Sequence, residues 1–532
     1  VIIGIIFYCN SIFNKYALDD DIVMRLNDYV QQGFSGIPKI MTTDSYDCFF
    51  KSMGSEGELS GGRYRPLSIV TFAMEQEIFG DCHGTKMAEV RDSLKILIAQ
   101  RSQDISTLNR LGQQRNILES TITQANLDVS SVRHCVSILL YILSVILLLR
   151  FLRNYLLKSI NLSSKIPISK IDFAFITALI FLIHPIHTEV IANVKSRDEI
   201  LSFLFIVLSL QYAFQYSEDR KTKTMFIGMF CYLLALLSKE WGITLIVLIP
   251  MMLFVFQRKS IAQSIRASLP FFGVAMLYLL VRYKFVGAGK TGEITEVLNN
   301  PFVYATSIKA MATKIFILLK YLYLLVIPVS LSADYSFNTI PYKSFGDISV
   351  WISVFIHITM LYYFFVSLKR RQWMSFAIAF YLSHLFLVSN FAMQIGATMG
   401  ERLIYHSSLG YAMTLGFLLL YFLKKIHCSA KRKKQLSVLM TIMLIVPAGC
   451  ITIPRNANWE TDNILFVHDA WVVSNSVLAN GNSGKAYIEY SQQEKDTVKK
   501  MKIWLKKNVA EVEKNNFVGV INASLDKWLK MI

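Results

Sequence analysis

Apolar runs separated by short polar joints recur along almost the whole chain. The clearest lie near 1–14, 133–152, 171–187, 198–216, 224–238, 242–256, 267–285, 347–367, 374–392, 407–423 and 436–453. A helix of roughly 17–25 apolar residues is long enough to cross a bilayer. The pattern therefore predicts an all-α polytopic membrane protein with about eleven transmembrane helices. Val1 opens inside an apolar run, which implies a natural start further upstream.

A twelfth apolar stretch, 309–331, carries Lys309, Lys314 and Lys320. Lysines inside a span cost a few kcal/mol each, about 2.5–3.5 on insertion scales. It reads instead as an interfacial helix, with its lysines near the headgroups and able to guide a charged lipid. Residues 82–130 differ again. Leu108, Leu111, Arg115, Leu118, Ile122, Ala125 and Val129 repeat in a 4-3 pattern among polar residues, predicting an inserted amphipathic helix with coiled-coil character. The tail, 454–532, is polar. There "VLANGNSGKAYIEYSQQ" and "DTVKKMKIWLKKNVAEVEKNN" read as two helices of a single tetratricopeptide-like unit, without a second copy.

Composition agrees with the class: 53% hydrophobic residues in 532, with mean hydropathy +0.42. The net charge of +18 does not point to nucleic acid here, because Lys and Arg collect in the cytoplasmic joints of membrane proteins. Five joints are basic, around Arg150–Lys170, Arg220–Lys223, Arg258–Arg266, Lys369–Arg371 and Lys424–Lys434. Placing them in the cytoplasm puts the first loop and the C-terminus on the opposite side. Seven cysteines are scattered without metal spacing; Cys48 and Cys82 are a conceivable pair in an oxidising compartment. Lys-, Ile- and Asn-rich usage points to a bacterial source and so to the inner membrane; in a eukaryote the expected membrane is that of the endoplasmic reticulum.

The opposite set of joints holds the unusual polar residues: "YALDDDIVM", "GGRYRPLSIVTF", "HPIHTEVIANVKSRDE", "SKEWG", "SADYSF" and "MGERLIYHSSLG". Singly, each has a plain explanation. Asp19, Asp20 and Asp21, for example, suit the N-cap and first turn of a helix. Together they mark one functional face. His184, His187 and Glu189 include metal-ligand residue types, but Pro185 interrupts a simple helical face, so hydrogen-bonded supporting roles are expected before a divalent metal.

In this order, "YALDD", "GRYRPLS", "HPIHTE", "LLSKEWGITL", "LSADYSF" and "ERLIYHSSLG" resemble the transmembrane-and-tetratricopeptide-repeat protein O-mannosyltransferases and their bacterial relatives. "NANWETDNILFVHDAWVVSNSVLANGNSGKAYIE" resembles that family's junction from last span to first repeat. The resemblance implies a C-type membrane glycosyltransferase fold over 1–453, with an extracytoplasmic helical tail over 454–532. It also implies sugar transfer from a polyprenyl-phosphate donor to a protein Ser/Thr or other hydroxyl, with inversion. The family's paired acidic motif falls on Asp19 and Asp20, one of them the expected base, and leaves Asp21 extra. Arg402 is the expected phosphate ligand, with Arg65, Lys239 and Arg197 as further candidates. His184, His187, Glu189, Glu240, Glu401, Tyr405 and Asp334 are expected to support the site. The implied partners are the bilayer, the lipid-linked donor and the acceptor. The competing classes are a lipid or sugar transporter, disfavoured because the polar residues sit at span ends rather than at the midplane, and an inactive membrane scaffold.

Overall fold

The computed structural model describes residues 1–52, 62–80, 105–156, 169–287, 300–392 and 394–507. Among the described residues the chain is helical and contains no strand. Each of the eleven apolar intervals falls on helical structure, and Ser307–Val326 forms a further helix. Among the described residues, five helices are long and apolar enough to cross a membrane: Val129–Leu156, Val194–Asp219, Ile261–Val286, Ile348–Lys369 and Ala430–Asn458. A sixth span arises if Asp172–Ile183 and Pro185–Ala192, which meet at 52°, count as one. The lysine-bearing Ser307–Val326 is not among them.

Local chemistry explains the boundaries that matter for the site. Ser169 opens the Lys170–Ile183 helix by accepting the Asp172 N–H. That helix stops at His184 because Pro185 disfavours a helical residue before it and supplies no N–H. A 3₁₀ turn, Pro185–His187, and a short helix, Thr188–Ala192, follow, and Asn193 caps the next turn by accepting the Ser196 N–H. The chain then enters Arg197–Asp219, which folds back on Thr222–Ser238 through a joint where Arg220 is left-handed, φ 54°. Two bends in quick succession thus present Glu189, Lys195 and Asp198 at one end of the bundle.

Two sequence expectations change. The described part of the amphipathic segment, 105–130, and the second span are not separate elements: one helix, Ile105–Phe151, runs through both, while residues 82–104, Cys82 among them, lie outside the described residues. At 47 residues it is about 70 Å long, more than twice the roughly 30 Å hydrocarbon layer. No Pro or Gly after Gly112 interrupts it. In the tail, the first expected repeat helix and the described part of the second, up to Lys507, form one helix, Val477–Lys507, and the partner packed against it is Asp462–Val472. Residues 508–532 lie outside the described residues.

The main core joins Phe7, Tyr141, Phe181, Phe203 and Tyr405 with aliphatic side chains of the neighbouring helices. One close contact depends on glycine. A Cβ at Gly410 would lie 2.4 Å from the Ala377 carbonyl oxygen and 2.8 Å from Tyr381 Cβ. Gly410→Ala is therefore expected to push Ser408–Lys425 away from Trp373–Val388 and cost about 1–3 kcal/mol. A lowered thermal midpoint in detergent checks it; an unchanged midpoint would show that the two helices yield freely.

Candidate active site

The first loop leaves the Ile2–Tyr8 helix and the Cys9–Phe13 turn and reaches Asp19 immediately before a four-residue helix, Asp20–Val23. Asp19 occupies the N-cap position, yet its side chain caps nothing. Its Oδ2 pairs instead with Lys195 Nζ and lies 3.4 Å from the Tyr46 hydroxyl. The capping explanation fails for this residue, because an N-cap carboxylate would have turned back to the helix's own N–H groups.

Asp20 has a different task. It is fully buried, and it accepts the Lys195 N–H at 2.7 Å on Oδ1 and the Ala17 N–H at 3.2 Å on Oδ2. It stitches the first loop to the Val194–Ser196 turn. Asp21 forms an i, i+4 pair with Arg25 at 2.7 Å, an arrangement local to its own stretch of chain.

Electrostatics separates the pair further. Burial pushes the Asp19 carboxyl up, but the charges of Lys195 and Arg402 outweigh it and hold the group below the usual carboxylate range. Asp20 is pushed up to about 7 by burial, against the opposing backbone hydrogen bonds from Lys195 and Ala17. Two adjacent acids therefore differ in accessibility and in charge at neutral pH. The Asp19 side chain keeps 38% of its surface exposed.

Around them runs a network of alternating charge. Arg65 donates to Glu240 Oε2 from Nε and to Asp198 Oδ2 from Nη1, each at 2.9 Å. Lys239 pairs with Asp198 at 3.2 Å and with Glu199. Arg402 meets Glu189 twice, with its backbone N–H on Oε2 and Nη1 on Oε1, both at 3.0 Å. A small cleft opens here, walled by Tyr46, Arg63, Arg65, Lys195 and Asp198. Arg63 and Lys195 both rest on the Tyr46 ring, at 4.8 and 5.3 Å from its centroid.

Residues from the separate polar joints are thus brought together, though not all in one role. Of the four candidate cations, Arg402 and Arg65 retain side-chain exposures of 30% and 15%, while Lys239 retains 3% and Arg197 none. Arg197 points into the bundle, where it binds Glu75, Thr71, Ser137 and the Arg133 carbonyl. With its donors engaged there, it braces Pro66–Phe79 against Ile105–Phe151. Glu401 accepts the Ser332 N–H and the Tyr335 hydroxyl, and burial pushes its carboxyl up to about 8. Asp334 faces the tail and takes the hydroxyls of Ser336 and Ser476.

His184 bonds the Leu325 carbonyl through Nε2 and accepts the Ile186 N–H on Nδ1. Both nitrogens of His187 are also engaged, by the Tyr141 and Ser408 hydroxyls at 2.9 Å each, with Tyr405 packed edge-on against its ring. Among the described residues, no group of three or more His, Cys, Asp and Glu is arranged to hold a metal. Tyr46, Arg63 and Lys195 were not singled out from the sequence. Arg63 stands two residues before Arg65, and Lys195 six after Glu189, inside stretches already marked as unusual.

The chain is similar to several curated proteins. It is 26% identical over 326 residues to a protein O-mannosyl-transferase of Caenorhabditis elegans, covering 59% of this chain and 43% of that protein. Against protein O-mannosyl-transferase TMTC4 of Mus musculus it is 26% identical over 364 residues, 60% of this chain and 47% of that one. Against Tmtc3 of Drosophila melanogaster it is 25% identical over 416 residues, 66% and 44%. The chain spans about half the length of the curated relatives it matches. No family model matches it, and neither does any solved structure. The resemblance carried by the ordered motifs is borne out by this similarity, which extends over about 60% of the chain to proteins named protein O-mannosyl-transferases.

Proposed function

We propose that the chain transfers a mannose-like sugar from a polyprenyl-phosphate donor to a protein Ser/Thr hydroxyl, at the non-cytoplasmic face of a membrane and with inversion. The observation that carries this reading is the ionised, solvent-reaching Asp19 carboxylate set among Lys195, Arg63 and Arg402. The names of the relatives supply the sugar and the acceptor class.

A hydroxyl is a poor nucleophile, so its proton must pass to a base as its oxygen attacks C1 of the sugar. Asp19 is that base. The bond from C1 to the phosphate oxygen breaks, and the leaving lipid phosphate keeps the electron pair. Cations fixed in advance stabilise that charge without reorganising. Lys195, Arg402 and Arg65 fill this role, and the lysines of Ser307–Val326 guide the headgroup. Before the donor arrives, Lys195 rests on Asp19 and keeps it a weak base. A donor phosphate shares that lysine, so Asp19 becomes more basic when its proton acceptance is needed. Asp20 holds the loop in register.

The test uses purified protein, radiolabelled polyprenyl-phosphate mannose and a Ser/Thr peptide. Label should move to the peptide. Donor binding without transfer to any hydroxyl acceptor would overturn the reading and favour a carrier or scaffold.

A further inference from the structure

The backbone that presents Asp19 is not held by the first loop alone. Leu18, the residue before it, has φ 56°, in the left-handed region that side chains with a Cβ adopt at a cost. Its N–H donates to Asp462 Oδ1 at 2.6 Å, across 444 positions of sequence. Asp462 is the first residue of the Asp462–Val472 helix, which Thr461 caps by accepting the Ile464 N–H. The same C-terminal segment holds the loop at two earlier points. Lys15 N–H donates to the Glu460 carbonyl at 2.9 Å, and Asn14 Nδ2 to the Asn456 carbonyl at 2.8 Å. Trp459, fully buried, packs in one cluster with Ala17 and Leu465.

We propose, resting on the reading of Asp19 as the base, that Asp462 is a positioning residue for the transfer reaction. It fixes the left-handed turn at Leu18, and that turn aims the Asp19 carboxylate at Lys195 and the acceptor hydroxyl. Asp462 touches neither substrate and moves no proton. The first helix after the last span thereby belongs to the transferase unit itself, whatever number of repeats follows it.

Misaiming a reacting group by about 1 Å costs on the order of 100-fold in rate. Asp462→Ala in the full chain should lower kcat by about 10–100-fold, with KM for radiolabelled polyprenyl-phosphate mannose essentially unchanged. Asp462→Asn keeps an acceptor oxygen for the Leu18 N–H and should retain most of kcat. Adding Leu18→Gly to Asp462→Ala should recover part of the loss, because glycine adopts positive φ without a steric penalty. Rates are taken per folded, monodisperse protein. A residue needed only for folding would lower yield and melting temperature, show no split between kcat and KM, and gain nothing from Leu18→Gly. If Asp462→Ala turns over like wild type while Asp19→Asn is inactive, the positioning role is wrong and the base assignment stands. If Asp19→Asn is itself active, the base assignment fails, and this inference with it.

Discussion

Asp19→Asn should lower kcat for sugar transfer by about 10²–10⁴-fold, the usual worth of a positioned base, with donor binding retained and little change in melting temperature. The exchange removes a charge from a side chain that is 38% exposed, so the lost pairing with Lys195 is screened and contributes little to stability. Asp20→Asn should also impair transfer, but by a different route. Both Asp20 oxygens accept backbone N–H groups. An amide nitrogen accepts nothing, so one of the two buried N–H groups would be left facing another donor. That costs about 1–3 kcal/mol and loosens the loop. The two variants therefore separate in a thermal melt even where both are inactive. The pH dependence separates them as well. A carboxyl raised to about 7 in the folded protein binds its proton more tightly there than in the unfolded chain, where it titrates near about 4. Its contribution to stability is full below that lower value and is lost as pH rises through about 7. Asp20→Asn should flatten the fall in melting temperature over this window, whereas Asp19, held low, contributes nothing to it. Equal melts and equal pH slopes for the two variants would sink the division of labour.

Helix positions were legible in the sequence because burial in lipid leaves an unbroken apolar run, and the eleven intervals fall on helical structure accordingly. Helix ends were less so. Ile105–Phe151 looks like two elements because its polarity changes near residue 130. A helix running out of an apolar environment changes its composition without interrupting its backbone hydrogen bonds. The tail misleads in the same way: "QQEKDTV" is polar but contains no breaker, and Val477–Lys507 continues through it. For the site, motif order was informative and pairing was not. Asp20 and Lys195 meet across 175 positions, Arg402 and Glu189 across 213, and no periodicity encodes such distances. Hence the family resemblance set Asp21 apart, but nothing in the sequence separated Asp19 from Asp20. Their partners, Lys195 for Asp19, two backbone N–H groups for Asp20 and Arg25 for Asp21, distinguish all three.

Arg402 shows how a residue can serve both structure and chemistry, and how the two separate. Glu189 is 1% exposed and receives both the backbone N–H and the guanidinium of Arg402. Arg402→Met would leave that carboxylate buried with its charge unmatched, at a cost of about 3–5 kcal/mol, and the protein should melt at a markedly lower temperature. Adding Glu189→Gln removes the stranded charge and keeps an oxygen for the Arg402 N–H. Replacing both members of a buried pair is often neutral in stability, so the double variant should regain most of the lost melting temperature. Transfer should not return with it. Losing a fixed cation at a developing charge costs about 10²–10³-fold in rate, and neither methionine nor glutamine supplies one. Recovery of stability without recovery of transfer would assign Arg402 to the leaving phosphate. If both returned together, its part would be to hold the "MGERLIYHSSLG" joint against the "HPIHTE" turn, and the phosphate would fall to Arg65 and Lys195.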